Sequence, residues 1–105
     1  MSTISVVVPA FNEAPNIPRL IERVQQVLSG AEDWELIVVD DGSTDDTLQV
    51  VRSLAFSTAE IRYLSLTRNF GHQTALRAGL DHASGDCVIS LDADLQHPPE
   101  LIPEM

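Results

Sequence analysis

Two carboxylates two positions apart, Asp92 and Asp94, stand where an apolar run ends, in Ser90-Leu91-Asp92-Ala93-Asp94-Leu95-Gln96-His97-Pro98-Pro99. In an extended chain residues i and i+2 point to the same side, so the two charges would repel by ~1–4 kcal/mol, depending on the effective dielectric. A bound divalent cation removes that conflict. With the amide oxygen of Gln96 the pair makes a set of hard oxygen ligands suited to Mg²⁺ or Mn²⁺, with positions left for water or a diphosphate. Nine of the 105 residues are Asp, and roughly one D-x-D is expected by chance. Spacing alone therefore decides nothing, and the weight of the pair depends on the elements that position it.

Composition bounds those elements. A chain of 105 residues, 44% hydrophobic and 21% charged, can bury the core of one α/β-sized domain. The net charge of −10, with six Arg and no Lys, excludes a general nucleic-acid surface, which needs a basic patch. An acidic chain that handles phosphates needs a metal. Cys87 has no partner for an internal disulfide and is expected as a small buried side chain. The sequence shows neither a signal peptide nor an apolar run of about 18 residues, so the chain is expected to be soluble.

Ile4-Ser5-Val6-Val7-Val8-Pro9 is β-branched, short and continuously apolar, which predicts a buried strand. After Asn12-Glu13-Ala14-Pro15-Asn16, the residues Ile17, Leu20, Ile21, Val24, Val27 and Leu28 recur at helical spacing until Gly30. Asn16 is the expected N-cap, with Pro18 tolerated in the first turn. Leu36-Ile37-Val38-Val39 is a second buried strand, ending at Asp40-Asp41-Gly42. Ser43-Thr44-Asp45-Asp46 resembles a capping box opening a helix with Leu48, Val51 and Leu54 or Ala55 inward. A third, less apolar strand over Ile61 to Leu66 reads as a sheet edge, and Arg68-Asn69-Phe70-Gly71 leaves it. Thr74 to Ala83 is a small-residue helix suited to close approach to a sheet. Cys87 to Leu91 is the fourth strand, and Pro98-Pro99 can open a further helix.

Alternation of β and α predicts parallel strands with right-handed crossovers and helices on both faces, a three-layer α/β/α sandwich. All strands then end on one rim. That rim receives Phe11-Asn12-Glu13, Asp40-Asp41, Arg68-Asn69 and Asp92-Ala93-Asp94. Ligands of open parallel sheets bind outside the carboxyl ends of the strands at the switch point, which a strand order of 3-2-1-4 places between strands one and four. Neither a G-x-G-x-x-G turn nor a G-x-x-x-x-G-K-[ST] loop is present, so glycine backbone does not grip the phosphates. Metal on Asp92 and Asp94 would hold a nucleoside diphosphate, Phe11 could pack on a base, and Glu13, Asp40 or Asp41 could accept from base or ribose. Phe11 as a core side chain, Asp41 as a turn former and Arg68 as a surface residue stand open beside these roles. His72, His82 and His97 show no ligand spacing.

Along its whole length the sequence resembles glycosyltransferase family 2, of the GT-A fold, and within it the polyprenyl-phosphate glycosyltransferases. The resemblance lies in ISVVVPAFNEAPNI, ELIVVDDGSTDDT, RNFGHQTAL and SLDADLQHPPE, collinear and at matching intervals. It implies a Rossmann-like donor half with strand order 3-2-1-4. Pro9, Phe11, Glu13, Asp40, Asp41 and Asp92 would then contact a UDP- or GDP-linked sugar, with Arg68 a further donor-site residue. Asp92, Asp94 and Gln96 would hold Mg²⁺ or Mn²⁺.

The activity so implied is inverting transfer from the nucleotide sugar to an acceptor, foremost a polyprenyl phosphate, in one in-line displacement. A lipid phosphate oxygen is already anionic near neutral pH and needs less general-base help than a sugar hydroxyl. The resemblance makes residues 1–105 the N-terminal donor-binding part of a longer domain, cytoplasmic and, in the full-length protein, at the cytoplasmic face of a membrane. The acceptor half and its catalytic base would lie beyond Met105. Transfer to a polysaccharide or sugar hydroxyl is the alternative. A receiver-like phosphoacceptor module fits less well, because it needs an acidic pair after strand one and a rim Lys, and the chain has Pro9-Ala10-Phe11 and no Lys. With both faces of strand four covered by helices, its open edge is expected to drive self-association.

Overall fold

The computed structural model describes residues 3–28, 30, 33–85 and 87–91. Their elements are β1 (Thr3–Ala10), α1 (Ile17–Leu28), β2 (Asp33–Asp40), α2 (Thr47–Ser57), β3 (Ile61–Ser65), α3 (His72–His82) and β4 (Cys87–Ser90). The four strands pair in parallel, as the β-α alternation predicts, and lie in the order β3-β2-β1-β4 that the family resemblance implies. β2 starts three residues before its apolar run, because Asp33, Trp34 and Glu35 continue the ladder opposite Thr3, Ile4 and Ser5.

Successive side chains of β1 and β2 enter opposite faces. Val6, Val8, Leu36 and Val38 pack with Leu20, Ile21 and Val24 of α1 and Val51 of α2. Val7, Ile37 and Val39 pack with Ala75 of α3. Both faces of the central strands are dry, which is why these strands read as unbroken apolar runs rather than alternating ones. Helix α3 comes close at Gly79, where a Cβ would stand 2.3 Å from Val7 Cγ1 and 3.1 Å from Val39 Cγ2. The small-residue character of this helix has its cause there.

Strand β4 departs from expectation. Cys87 is exposed rather than buried, and Val88 is also exposed, whereas Ile89 and the following Leu91 reach the core. The reason is position: β4 is an edge strand on β1, and α3 packs over β1 and β2. The expectation that helices cover both of its faces therefore fails among the described residues. The expected helix after Pro98-Pro99 lies outside them.

At the amino ends of the strands, the Glu35 carboxylate gathers three neighbours. It accepts from the hydroxyl of Ser5 at 2.6 Å, from Ser84 N–H at 2.8 Å and hydroxyl at 3.0 Å, and from Arg62 Nη1 at 2.8 Å. Gly85 N–H donates to the Ser5 hydroxyl at 2.8 Å. Three strands and the α3–β4 connection are thus tied at one charged group. Among the described residues no helix is long and apolar enough to cross a membrane.

Candidate functional site

Register brings the strand ends together at the opposite rim. Ala10 is level with Asp40, and Asp40 with Ser65. Ser90 of β4 is level with Val7, and Leu91 N–H donates to the Val7 carbonyl at 3.0 Å. Leu91 is buried and is the last described residue before Asp92. Asp92, Asp94 and Gln96 lie outside the described residues.

The loop after β1 is stitched to the turn after β2. Asn12, at φ 54°, sits in the left-handed region that Asn tolerates better than most residues. Its side-chain oxygen accepts from Thr44 N–H at 2.8 Å and Asp45 N–H at 3.3 Å, and its own N–H donates to the Ser43 hydroxyl at 2.9 Å. Glu13 N–H donates to the Thr47 hydroxyl at 2.9 Å.

The caps differ from those expected. Asp45, not a Ser43–Asp46 box, closes the first turn of α2 by accepting from the Thr47 N–H and hydroxyl, while Ser43 is engaged by Asn12. Desolvation pulls the Asp45 pKa upward, and the bonds from Thr47 and from Ala14 N–H outweigh it, leaving the carboxyl below its usual range. Asn16 precedes α1 as expected, and its amide donates to Glu13 Oε2 at 2.7 Å. Glu13 thereby has one oxygen committed at the helix start.

The two rim aspartates are buried, with 2% exposure for Asp40 and 3% for Asp41. Asp40 accepts from Ser43 N–H at 3.2 Å. Asp41 reaches the loop after β3, where Oδ1 accepts from Phe70 N–H at 2.8 Å and Oδ2 from Gly71 N–H at 3.0 Å. Arg68 lies over the Phe70 ring, 4.7 Å from its centroid, a cation–π contact worth about 0.5–1 kcal/mol at an exposed site.

These loops enclose a cleft of about 250 Å³ with Pro9, Ala10 and Phe11 on the β1 side, Asn69, Gly71 and His72 on the β3–α3 side, and Asp41. Phe11 is 41% exposed, so it is not a core residue. A larger groove of about 680 Å³, lined by Arg52, Phe56 and Tyr63 among others, contains none of the candidate residues. The structure thus brings Pro9, Phe11 and Asp41 to one cleft, sets Asp40 at the end of β2 and Glu13 in the loop after β1 beside it, and stacks Arg68 on Phe70. Sequence reasoning put Asn12 and Asn69 on the rim but gave neither of them, nor His72, a role. An Asn inside a strand-to-helix turn was the available signal for Asn12.

A parallel sheet in the order β3-β2-β1-β4 whose polar loops converge at the carboxyl ends of its strands is a Rossmann-like ligand-binding arrangement, the one from which the donor half of a GT-A fold is built. The chain belongs to glycosyl transferase family 2, whose sequence model matches residues 5–105. It is 40% identical over 104 residues to an undecaprenyl-phosphate 4-deoxy-4-formamido-L-arabinose transferase of Salmonella choleraesuis, covering 97% of this chain and 32% of that protein. Among solved structures it resembles a mannosyltransferase of Pyrobaculum calidifontis in complex with GDP-Man and Mn²⁺, with TM-score 0.84 and 31% identity over 95% of this chain and 30% of the other. It also resembles the glucosyl-3-phosphoglycerate synthase of Mycobacterium tuberculosis in complex with Mn²⁺, UDP and glucosyl-3-phosphoglycerate. That match has TM-score 0.75 and 37% identity over 97% of this chain and 37% of the other. The chain spans about a third of the length of the curated relatives it matches.

Proposed function

We propose that residues 1–105 form the donor-binding part of an inverting glycosyltransferase that uses a UDP- or GDP-linked sugar and a polyprenyl phosphate acceptor. The observation that carries this reading is the rim cleft bounded by Pro9, Phe11 and Asp41, in a family 2 chain whose β4 leads through Leu91 to Asp92. Phe11, half-exposed, offers a ring face to a nucleobase. Glu13 and Asp40 shape the rim and can accept from ribose or base, and Arg68 can approach a phosphate from its seat on Phe70.

Asp92, Asp94 and Gln96 would hold Mg²⁺ or Mn²⁺, since two carboxylates and an amide oxygen form a hard donor set. Bound there, such an ion offsets the negative charge of a departing diphosphate. The relative that acts on undecaprenyl phosphate supports the acceptor class, and with a membrane-held acceptor and a nucleotide-sugar donor the reaction would run at the cytoplasmic face of a membrane. The side of β4 that no described strand pairs, with Cys87 and Val88 exposed, is where a second copy would add to the sheet. Light scattering at rising concentration tests that association.

Calorimetric titration of UDP- and GDP-sugars with and without Mn²⁺ tests the donor site. Binding by the wild type should require the ion, and Asp94→Ala should abolish that requirement together with about tenfold or more of the affinity. Equal metal-dependent binding by both proteins would remove Asp94 from the site.

A further inference from the structure

The outer side of β3 carries a pattern that the rim cleft does not use. β3 ends the sheet, and no described strand pairs its free side. Its ladder to β2 opens where Glu60 C=O accepts from Leu36 N–H and closes where Leu66 N–H donates to Asp40 C=O, both at 2.9 Å. Main-chain groups alternate in direction along a paired strand, so those of Ile61, Tyr63 and Ser65 face the open side. Ile61 N–H is spent on Thr58 C=O at 3.1 Å. The edge therefore offers Ile61 C=O and both groups of Tyr63 and of Ser65. Natural edges are blunted by proline, a bulge or a free charge. β3, Ile61-Arg62-Tyr63-Leu64-Ser65, has no proline and pairs in unbroken register, and Glu35 holds its charged residue, Arg62.

Beside this edge lies the groove of about 680 Å³, lined by Gln49, Arg52, Ser53 and Phe56 at helical spacing on α2 and by Tyr63 of β3. Tyr63 shares a face with Ile61, which packs in the core beneath α1 and α2, so its half-exposed ring stands on the α2 side. Phe56, 94% exposed, is the most exposed large apolar side chain among the described residues. A protruding ring next to a groove with room for one is a self-complementary surface, as a two-fold contact requires.

We propose that the β3 edge and α2 form a two-fold interface with a second copy of this chain. An axis normal to the sheet at Tyr63 sets the two β3 strands antiparallel. Tyr63 N–H of each copy then donates to Tyr63 C=O of the other, and Ser65 N–H reaches the Ile61 C=O opposite it. The Ile61 N–H, already used, is not needed. Both α2 helices keep to one face of the joined sheet and run antiparallel over the seam. Phe56 of each copy enters the groove of the other, where Arg52 can lie on its ring. Arg62 faces Leu64 of the other copy, so no like charges stand opposite each other on the strands. The net charge of −10 opposes association at long range, so salt strengthens it. This contact closes on itself and is distinct from addition at β4.

Sedimentation equilibrium from micromolar to millimolar chain should show a monomer–dimer equilibrium that tightens as salt is raised. Phe56→Asp should weaken the dimer about tenfold or more. Because the ring is almost wholly exposed, the melting temperature of dilute protein should stay unchanged. Val88→Asp, on β4, should leave the dimer intact. Cross-linking in a Cys87→Ser background reads the register. Residues facing each other in a hydrogen-bonded antiparallel pair have Cα atoms about 5.5 Å apart, within disulfide reach. Tyr63→Cys should therefore give a disulfide-linked dimer on mild oxidation, and Ser65→Cys should not. A chain that stays monomeric throughout and yields no Tyr63→Cys cross-link would overturn the proposal. Association lost in Val88→Asp but kept in Phe56→Asp would move the interface to β4 and refute it equally, and cross-linking at Ser65 instead of Tyr63 would refute the two-fold register.

Discussion

Ser84 donates its main-chain N–H to Glu35 at 2.8 Å across 49 positions of sequence, closing the α3–β4 connection onto the start of β2. Burial alone would raise the Glu35 pKa, but the bonds from Ser5, Ser84 and Arg62 lower it from 4.5 to about 2. The folded value lies below the unfolded one, so the contribution of Glu35 is complete above about pH 4.5 and is lost as pH falls toward 2.

Denaturant midpoints followed from neutral pH into that window should separate wild type from Glu35→Gln by about 1–3 kcal/mol at the neutral end. The gap should narrow on acidification. Arg62→Ala should cost less than about 1 kcal/mol, because the guanidinium is 47% exposed and its pair is screened. A gap that stays constant with pH would show that the carboxylate is not the group responsible.

Gly79→Ala sets two effects against each other. Alanine raises helix propensity by about 1 kcal/mol, while its Cβ would meet Val7 Cγ1 at 2.3 Å. Val7 and Val39 are fully buried and β-branched, so neither has a flexible end to swing aside. Overpacking of about 1–3 kcal/mol should win and lower the melting temperature. Val7→Ala in the same chain should recover part of the loss, and a melting temperature raised by Gly79→Ala alone would show that helix α3 yields.

Asn12→Ala and Asn12→Gly separate backbone strain from hydrogen bonding. Both remove the bonds to Thr44 and Asp45, but only alanine must also be held at φ 54°. The alanine variant should lose about 1–3 kcal/mol and the glycine variant about 1 kcal/mol less. Equal losses would leave the hydrogen bonds as the whole effect.

The strands were legible because Val6–Val8 and Leu36–Val39 are β-branched or apolar throughout, and only strands dry on both faces need that. Parallel pairing and the converging rim followed from β-α alternation, while the order 3-2-1-4 came with the family resemblance. Glu35 was not legible: it stands among polar residues before an apolar run, and its partners come from remote positions. Asp41 illustrates a different limit, since an aspartate before a glycine reads equally as a turn former or a ligand. Its two bonds to Phe70 and Gly71 exist only once β3 has been placed beside β2. The burial expected for Cys87 failed because composition reports how apolar a strand is, not whether anything covers it.

Glu35 and Asp40 bracket the apolar run of β2, five residues and so ~17 Å apart along the strand. Perturbations at such separations add nearly independently. The amino ends of the strands keep the sheet in register through Glu35, while the carboxyl ends carry loops pinned by Asn12 and Asp41. A descendant of this chain can therefore exchange its cleft-facing loops without disturbing the clasp at the far end. Foldability and ligand range are inherited as separable traits, each open to drift or selection without repair of the other.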